Sequence, residues 1–294
     1  MADYTDLSEA NGWIPEPSSP EVLTRATEVS AVEQAARKVN MTSRTLSVPR
    51  FEADGVDVVP EHAVIPLFDA ELDEVVITAH KFANRFAVSI EDRQDAVVDA
   101  LNTAKAAWLS NYAVKLDNAV LGAVGAANGT TRPFASVYQT VGAEGRTATA
   151  GALSYEALED AFADLDAGVY GGNNVVFAHP RFKSALRNLK DSDGTRVSDG
   201  LLEAGAPTLF GSQVIFTRGA VASTTASDRP VGNPLLIVAN KQHLILGVRS
   251  GPESLVSEAP QWDTDHVELK MRARRGFVLA TPEAARVIEL TAGA

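Results

Sequence analysis

The feature that most constrains the fold is a long amphipathic pattern between residues 89 and 122. Its apolar residues recur every three or four positions, the spacing of one helix face: Val97, Leu101, Ala104, Trp108, Tyr112, Leu116 and Val120. Ser89 is a suitable N-cap, and Gly122 is of a residue type that often ends helices. Asn102 and Thr103 have low helix propensity, so the helix could kink there. A continuous helix of about 30 residues would span about 45 Å. The pattern therefore predicts an elongated molecule.

A strand-rich segment precedes this helix, from Phe51 to Val88. Two groups of β-branched residues, around Val58 and around Val76, are separated by prolines and by the acidic stretch 69–74. We expect a two-stranded hairpin here. An isolated hairpin is marginally stable in water, so it needs support from the body of the protein or from another subunit.

The second half alternates helices and strands, which predicts an α+β fold. Ser154 starts a helix that ends at Gly168, and a buried strand follows at residues 175–177. Further predicted elements are a helix after Pro180, strands at 209–216 and 235–246, and a short terminal helix opened by Pro282 with Ala285 and Ile288 facing inward.

A strand near the C-terminus alternates strictly. One face consists of Val267, Leu269, Met271 and Ala273, and the other of Glu268, Lys270, Arg272 and Arg274. The pattern predicts a half-exposed strand. Its arginines either form a solvated face, which spacing alone favours, or contact another subunit.

Composition excludes several classes of protein. The net charge is −12 without a Lys/Arg-rich run, which argues against tight nucleic-acid binding but is compatible with enclosing DNA. The chain has no cysteine, hence no disulfides and no thiolate metal site. It begins without a signal peptide and lacks a membrane-spanning apolar run, so we expect a soluble protein made in the cytoplasm.

Motifs for catalysis and metal binding are missing from the sequence. No nucleophile elbow, zinc-protease motif, P-loop or dinucleotide fingerprint occurs. The acidic residues Asp191, Asp193, Asp199 and Glu203 do not fit a calcium loop, because Arg196 stands where its glycine belongs. Asp265 and His266 point to opposite strand faces, which disfavours a metal. We predict no enzyme, cofactor or metal site.

The order of elements resembles the major capsid proteins of tailed phages with the Hong Kong 97-type fold. The resemblance covers nearly the whole chain and is carried by 86–91, 115–122, 176–180, 186–194, 209–214 and the strand through Arg275 with Pro282-Glu283-Ala284. It implies an N-terminal arm (1–50), an E-loop hairpin (51–88), a P-domain with a long spine helix (89–150), an A-domain (151–249) and a return to the P-domain (250–294).

The resemblance implies a structural protein that self-assembles into hexamers and pentamers of an icosahedral shell around double-stranded DNA. Implied partners are further copies, a portal, a decoration protein, and a separate scaffolding protein or none, since some 50 residues precede the hairpin. No lysine lies between Lys38 and Lys81, so covalent linking through the hairpin is not expected. The alternatives are an encapsulin-type nanocompartment and an α/β enzyme of unknown reaction.

Two groups of residues are the candidate subunit contacts. Trp13, Ile14 and Leu23 make the arm too apolar for a solvated tail. The acidic residues Glu71, Asp73 and Glu74 of the hairpin are predicted to meet Arg272 and Arg274 of a neighbouring subunit, since alternation allows a paired ladder.

Overall fold

The fold is described from a computed structural model, which covers residues 28–53, 58–65, 70–91, 99–168, 170–189, 207–261 and 266–291. The helices are α1 (Ala31–Ala35), α2 (Ala100–Leu121), α3 (Val137–Ala143), α4 (Tyr155–Ala167) and α5 (Phe182–Arg187). The strands are β1 (Arg37–Asn40), β2 (Thr45–Ala53), β3 (Ala70–Thr78), β4 (His80–Ser89), β5 (Thr147–Ala150), β6 (Asn174–Ala178), β7 (Thr208–Leu209), β8 (Ser212–Phe216), β9 (Leu235–Asn240), β10 (Leu244–Gln261), β11 (His266–Leu279) and β12 (Ala285–Leu290).

The strands form three sheets. A four-stranded sheet has the order β1-β10-β11-β4, and a six-stranded sheet has the order β5-β12-β9-β6-β8-β7. Among the described residues, strands β2 and β3 form a separate two-stranded sheet, an antiparallel hairpin. Among the described residues, no helix is both long and apolar enough to cross a membrane.

Helix α2 joins the two larger sheets. The Asp99 carboxylate caps its N-terminus by accepting hydrogen bonds from the backbone N–H groups of Leu101 and Asn102. The first turns pack against the apolar face of β11, as the strict alternation of that strand predicts: Val267, Leu269, Met271 and Ala273 are buried. The last turns enter the core beside the six-stranded sheet.

The helix differs from the predicted one at its start. Ser89 is the last residue of β4 and is followed directly by the helical residues Ile90 and Glu91, whereas α2 begins later and has Asp99 as its N-cap. Its 22 residues give a length of about 33 Å, and the helix passes through Asn102-Thr103 without a break. Ser89 ends a strand because β4 pairs with β11 along its whole length, a long-range contact that helix spacing does not reveal.

The six-stranded sheet is covered on both faces, which explains its continuous apolar strands. Every residue of β6 and β9 is buried. Ser154 caps α4 and Gly168 ends it, as predicted. Phe182, Leu186 and Leu189, which lie on one face of the helix predicted after Pro180, are buried with α4 on one side of this sheet.

The predicted terminal helix is wrong. Pro282–Ala284 form a single 3-10 turn, and Ala285–Leu290 continue as strand β12 between β5 and β9. The β-branched Val287 and Ile288 point to opposite faces of the sheet, and both are buried there. Pairing on both edges outweighs the local helix-start signal of Pro282.

The predicted hairpin is present, with strands at 45–53 and 70–78. Its first strand begins before residue 51, and β4 belongs to the four-stranded sheet. Residues 28–40 of the predicted arm pack on the same subunit, as α1 and as β1 beside β10. Residues 250–294 contribute strands to both larger sheets. The division into five domains stays a prediction.

Two facing glycines receive the base of the hairpin. Gly247 of β10 and Gly276 of β11 are cross-strand partners, and the fully buried Ile77 of β3 lies on them. A Cβ atom on Gly276 would come within 2.6 Å of Ile77 Cγ2, and one on Gly247 within 2.4 Å of Met41 Sδ. We name Gly247 and Gly276 the glycine notch. It allows the hairpin to rest directly on the sheet.

Replacing Gly276 with alanine is expected to lower the free energy of unfolding by about 1–3 kcal/mol, because the new methyl group overpacks the notch. Urea unfolding of unassembled subunits measures the change. Gly251→Ala is the matched control, since a Cβ at Gly251 of β10 meets nothing within 4 Å. Equal stability of the two variants would contradict the role of the notch.

Candidate functional site

A buried carboxylate in the spine helix α2 holds two other parts of the chain. Asp117 accepts hydrogen bonds from Ser30 Oγ (2.5 Å), Ala31 N (2.9 Å) and Val32 N (3.1 Å) at the start of α1. It also accepts one from Thr217 Oγ1 (2.7 Å), which follows β8. A single side chain therefore links the N-terminal region, the spine helix and the six-stranded sheet.

The environment of Asp117 opposes its charge. The side chain is buried, with 1% of the residue exposed, and this burial raises its pKa to about 6. Hydrogen bonds from Ser30, Thr217 and two backbone amides act in the opposite direction, because they stabilise the ionised carboxylate. The four donors thus offset only part of the desolvation.

A second cluster fixes helix α1 to the four-stranded sheet. Arg275 of β11 is 5% exposed, and its Nε and Nη2 atoms both lie 2.8 Å from Glu33 Oε1. The Tyr112 hydroxyl donates to the same oxygen at 3.0 Å. Burial and the neighbouring Glu33 carboxylate raise the pKa of Tyr112. These bonds add a second attachment of α1, through Glu33, to the one made by the backbone N–H groups of residues 31 and 32.

Asn118, the next residue of α2, binds the backbone of the segment that follows β8. Its side-chain amide donates to the carbonyls of Gly219 (3.0 Å) and Val221 (2.9 Å), and its Oδ1 accepts from Ser227 N. The Asp117-Asn118 pair was not predicted as a functional site. The sequence feature that could have revealed this pair is the occurrence of two adjacent polar residues within the apolar run 116–121.

The outer face of the four-stranded sheet is basic. Alternation along β4 and β11 places five cations on it, the basic face: Lys81, Arg85, Lys270, Arg272 and Arg274. Register sets Arg274 opposite Lys81 and Lys270 opposite Arg85. Like charges in directly opposite positions destabilise a sheet, so anions are needed near this face.

Anions of the same subunit neutralise part of the basic face. Glu268 pairs with Arg85 at 3.1 Å, and Glu253 of β10 pairs with Arg272 at 2.9 Å. In the part of the chain that the structure describes, the Arg274 side chain has no hydrogen bond or ion pair. Of the two arginines predicted as subunit contacts, Arg272 is engaged within its own chain and Arg274 is available.

The three acidic residues of the hairpin that were predicted as subunit contacts lie in different surroundings. Asp73 pairs with Arg50 of β2 at 2.7 Å, and Glu74 accepts a hydrogen bond from Ser47 at 2.6 Å. Glu71 lies in β3 opposite Glu52, and its side chain is outside the described part. Within one subunit, the described side chains of Asp73 and Glu74 make no contact with Arg272 or Arg274.

Other predicted positions lie outside the described residues. They are the arm residues Trp13, Ile14 and Leu23, the acidic residues Asp191, Asp193 and Asp199 with Glu203, and Asp265. Over the described ranges, no group of three or more His, Asp or Glu side chains could hold a metal ion.

A comparison of the sequence with models of protein families identifies one family. The sequence matches the Phage capsid family over residues 11–290. The chain belongs to the phage capsid family. A comparison with curated proteins finds no similar sequence.

Solved structures show that this phage capsid protein has the Hong Kong 97-type fold. It shares 20% identity with a structure from Mycobacterium phage Bobi, with a TM-score of 0.74 and 100% of each chain covered. A structure from Microbacterium phage Oxtober96 is 18% identical, with a TM-score of 0.74 and 99% of each chain covered. The capsid of a native GTA particle is 16% identical, with a TM-score of 0.70 over 99% of this chain and 100% of that chain.

Asp117→Asn in this phage capsid protein should lower the free energy of unfolding by about 1–3 kcal/mol, because an amide NH₂ cannot accept the hydrogen bonds of buried donors. The pKa of Asp117 is raised to about 6, so its contribution to stability is complete below about pH 4 and falls as the pH rises through 6. The cost of the substitution should therefore be greater at pH 5 than at pH 7.

Urea unfolding at both pH values measures this difference, and hydrogen exchange locates it at residues 28–35. Glu159→Gln on the exposed side of α4 is the control, and should change neither. A cost that is independent of pH would show that Asp117 does not titrate as described.

Proposed function

We propose that the chain is the major capsid protein of a tailed bacteriophage and self-assembles into hexamers and pentamers of an icosahedral head shell. Membership of the phage capsid family and the fold support a protein that forms a head shell. The observation that carries the proposal is the match over residues 11–290, because it includes the hairpin, spine helix and both larger sheets.

The hairpin gives a physical reason for assembly. Its two strands form a separate sheet in the part of the chain that the structure describes, and beyond the glycine notch its residues Asp73, Glu74 and Val76 are exposed. A two-stranded hairpin has little stability of its own, so a neighbouring subunit is the natural support for its outer part. Repetition of one such contact around a ring leads to a closed assembly.

The alternatives have less support. An encapsulin-type compartment would share the fold but enclose proteins, and the family match favours the phage capsid. An α/β enzyme would require a catalytic constellation, and the sequence carries no known catalytic motif. Membership of a structural family supports a protein without enzymatic activity.

The proposed partners follow from this role. The chain assembles with further copies of itself in the bacterial cytoplasm and then resides in the virion, together with a portal and with scaffolding or decoration proteins. It encloses double-stranded DNA without specific binding. Its net charge of −12 supports this, because like-charge repulsion keeps a polyanion mobile.

Expression of the full chain, alone and with its neighbouring genes, is expected to give closed shells or ring-shaped capsomers. Negative-stain electron microscopy and analytical sedimentation detect them. A compact monomer under all of these conditions would refute the proposed function. Enclosed protein cargo instead of DNA in particles from infected cells would favour the encapsulin alternative.

The subunit contact proposed for Glu71, Asp73 and Glu74 with Arg272 and Arg274 is best tested at Arg274, whose side chain makes no ion pair with a described residue. Arg274→Glu should impair assembly and leave the subunit folded, because the new carboxylate faces Lys81 within the sheet. Adding Glu71→Lys should restore part of the assembly.

The yield of shells in sedimentation gradients measures both effects. Lys241→Glu reverses a charge at the turn between β9 and β10 and serves as the control. Normal assembly of Arg274→Glu would show that the arginines form only a solvated face. We expect about 0–1 kcal/mol from each exposed pair, multiplied by repetition in the shell.

A further inference from the structure

A cavity with two arginines lies on one side of the six-stranded sheet, beside its edge strand β5. Its volume is about 350 Å³, and its lining comes from α4, from β5 with the residue before it, and from β12. Alanines of α4 and β5 form much of the lining. The charged residues are Arg146, Arg286, Asp160 and Asp164. We name it the arginine cavity.

Strand pairing places the two arginines next to each other. Val287 of β12 is the partner of Thr147 of β5, and the Val287 N–H donates to the Arg146 carbonyl at 3.5 Å. Arg146 and Arg286 immediately precede these partners, so they share the opposite face of the sheet. Burial and then the Arg146 charge lower the pKa of Arg286, whereas Asp160 raises it. The two guanidinium groups therefore repel each other across the cavity.

Each arginine also carries a donor without an acceptor. The Nε atoms of Arg146 and Arg286 are buried, and neither has a hydrogen-bond partner among the described residues. A buried donor that lacks an acceptor destabilises a folded protein, and the cost is greater when the group is charged. An anion with several oxygen atoms would satisfy both donors and reduce the repulsion between the two guanidinium groups.

The two carboxylates of the cavity do not meet this need. Asp164 pairs with Nη2 of Arg286 and leaves its Nε free. Asp160 is exposed on α4 and makes no ion pair with a described residue. Within the described ranges, the Arg146 side chain has neither an ion pair nor a hydrogen bond. The cavity thus retains a cation without a direct counter-ion, beside a second arginine.

We propose that the arginine cavity binds a phosphate group through Arg146 and Arg286. The arginine fork matches phosphate geometry, and a phosphate has enough oxygens to accept hydrogen bonds from two guanidinium groups at once. Free phosphate and the phosphodiester backbone of a nucleic acid both offer this chemistry. The bound group joins the start of the edge strand β5 to β12. This site goes beyond the proposed shell function, which does not depend on it.

Inorganic phosphate is the first probe. Thermal unfolding of full-length, unassembled subunits is compared in phosphate and in chloride at equal pH and ionic strength, because a ligand of the folded state raises Tm with its concentration. We expect a dissociation constant of about 1 mM or lower. Arg146→Gln should weaken binding about tenfold. The control Arg187→Gln removes an exposed charge of α5 outside the cavity and should leave binding unchanged.

Two further variants separate binding from folding. Arg146→Lys keeps the charge but loses the Nε–H and the planar fork, so it should also weaken phosphate binding. Asp160→Asn removes a negative charge that repels the phosphate, and should strengthen binding about threefold. Because damage to the fold does not strengthen binding, Asp160→Asn tests the site even where Arg146→Gln is unstable.

A DNA duplex without terminal phosphates tests the second source of the group. Stabilisation by inorganic phosphate alone would identify free phosphate as the ligand. Stabilisation by the duplex that Arg146→Gln abolishes would identify the phosphodiester backbone, and either result supports the site. The inference would be overturned if neither probe raised Tm, if acetate raised it as much as phosphate, or if wild type and Arg146→Gln responded equally. Shell formation is measured separately by electron microscopy, so these outcomes leave the proposed function intact.

Discussion

The structure depends on a buried carboxylate, Asp117 of the spine helix. Three of its hydrogen bonds reach the start of α1 and one reaches Thr217 after β8. Partners up to 100 residues away from Asp117 in sequence therefore meet at its side chain. Breaking such a network would leave several buried donors without an acceptor, which makes it a cooperative junction. The raised pKa of Asp117 is the consequence of placing a charge there.

The other packing contacts extend this junction outward. Arg275 holds α1 against the four-stranded sheet through Glu33, and the glycine notch of the same sheet receives Ile77 of the hairpin. Both Arg275 and Gly276 belong to β11, which also packs on α2. Strand β11 thus contacts the arm, the spine helix and the hairpin, and it fixes their positions relative to one another. A shell protein needs fixed relative positions of these parts, because a small displacement within one subunit is repeated around each ring.

The surfaces that remain unsatisfied in one subunit are the ones that assembly can use. The basic face contains two cross-strand pairs of like charge, and Val58, Val64 and Ile65 between the strands of the hairpin are exposed. None of these features stabilises an isolated subunit. They contribute to stability only when another copy supplies an anion or an apolar surface. Their stabilising effect therefore appears only on assembly.

The sequence by itself determined the elements with strong local signals. The Ser154 cap and Gly168 end of α4, the buried strand β6 and the alternating face of β11 all follow from side-chain period and capping chemistry. The ordered set of these elements was also enough to suggest the capsid family. Only the tertiary structure decided the strand β12, the start of α2 at Asp99 and the roles of Asp117, Arg275 and the two notch glycines. These depend on partners far away in sequence, whose pairing and burial outweigh local propensity and leave no periodic trace in the chain.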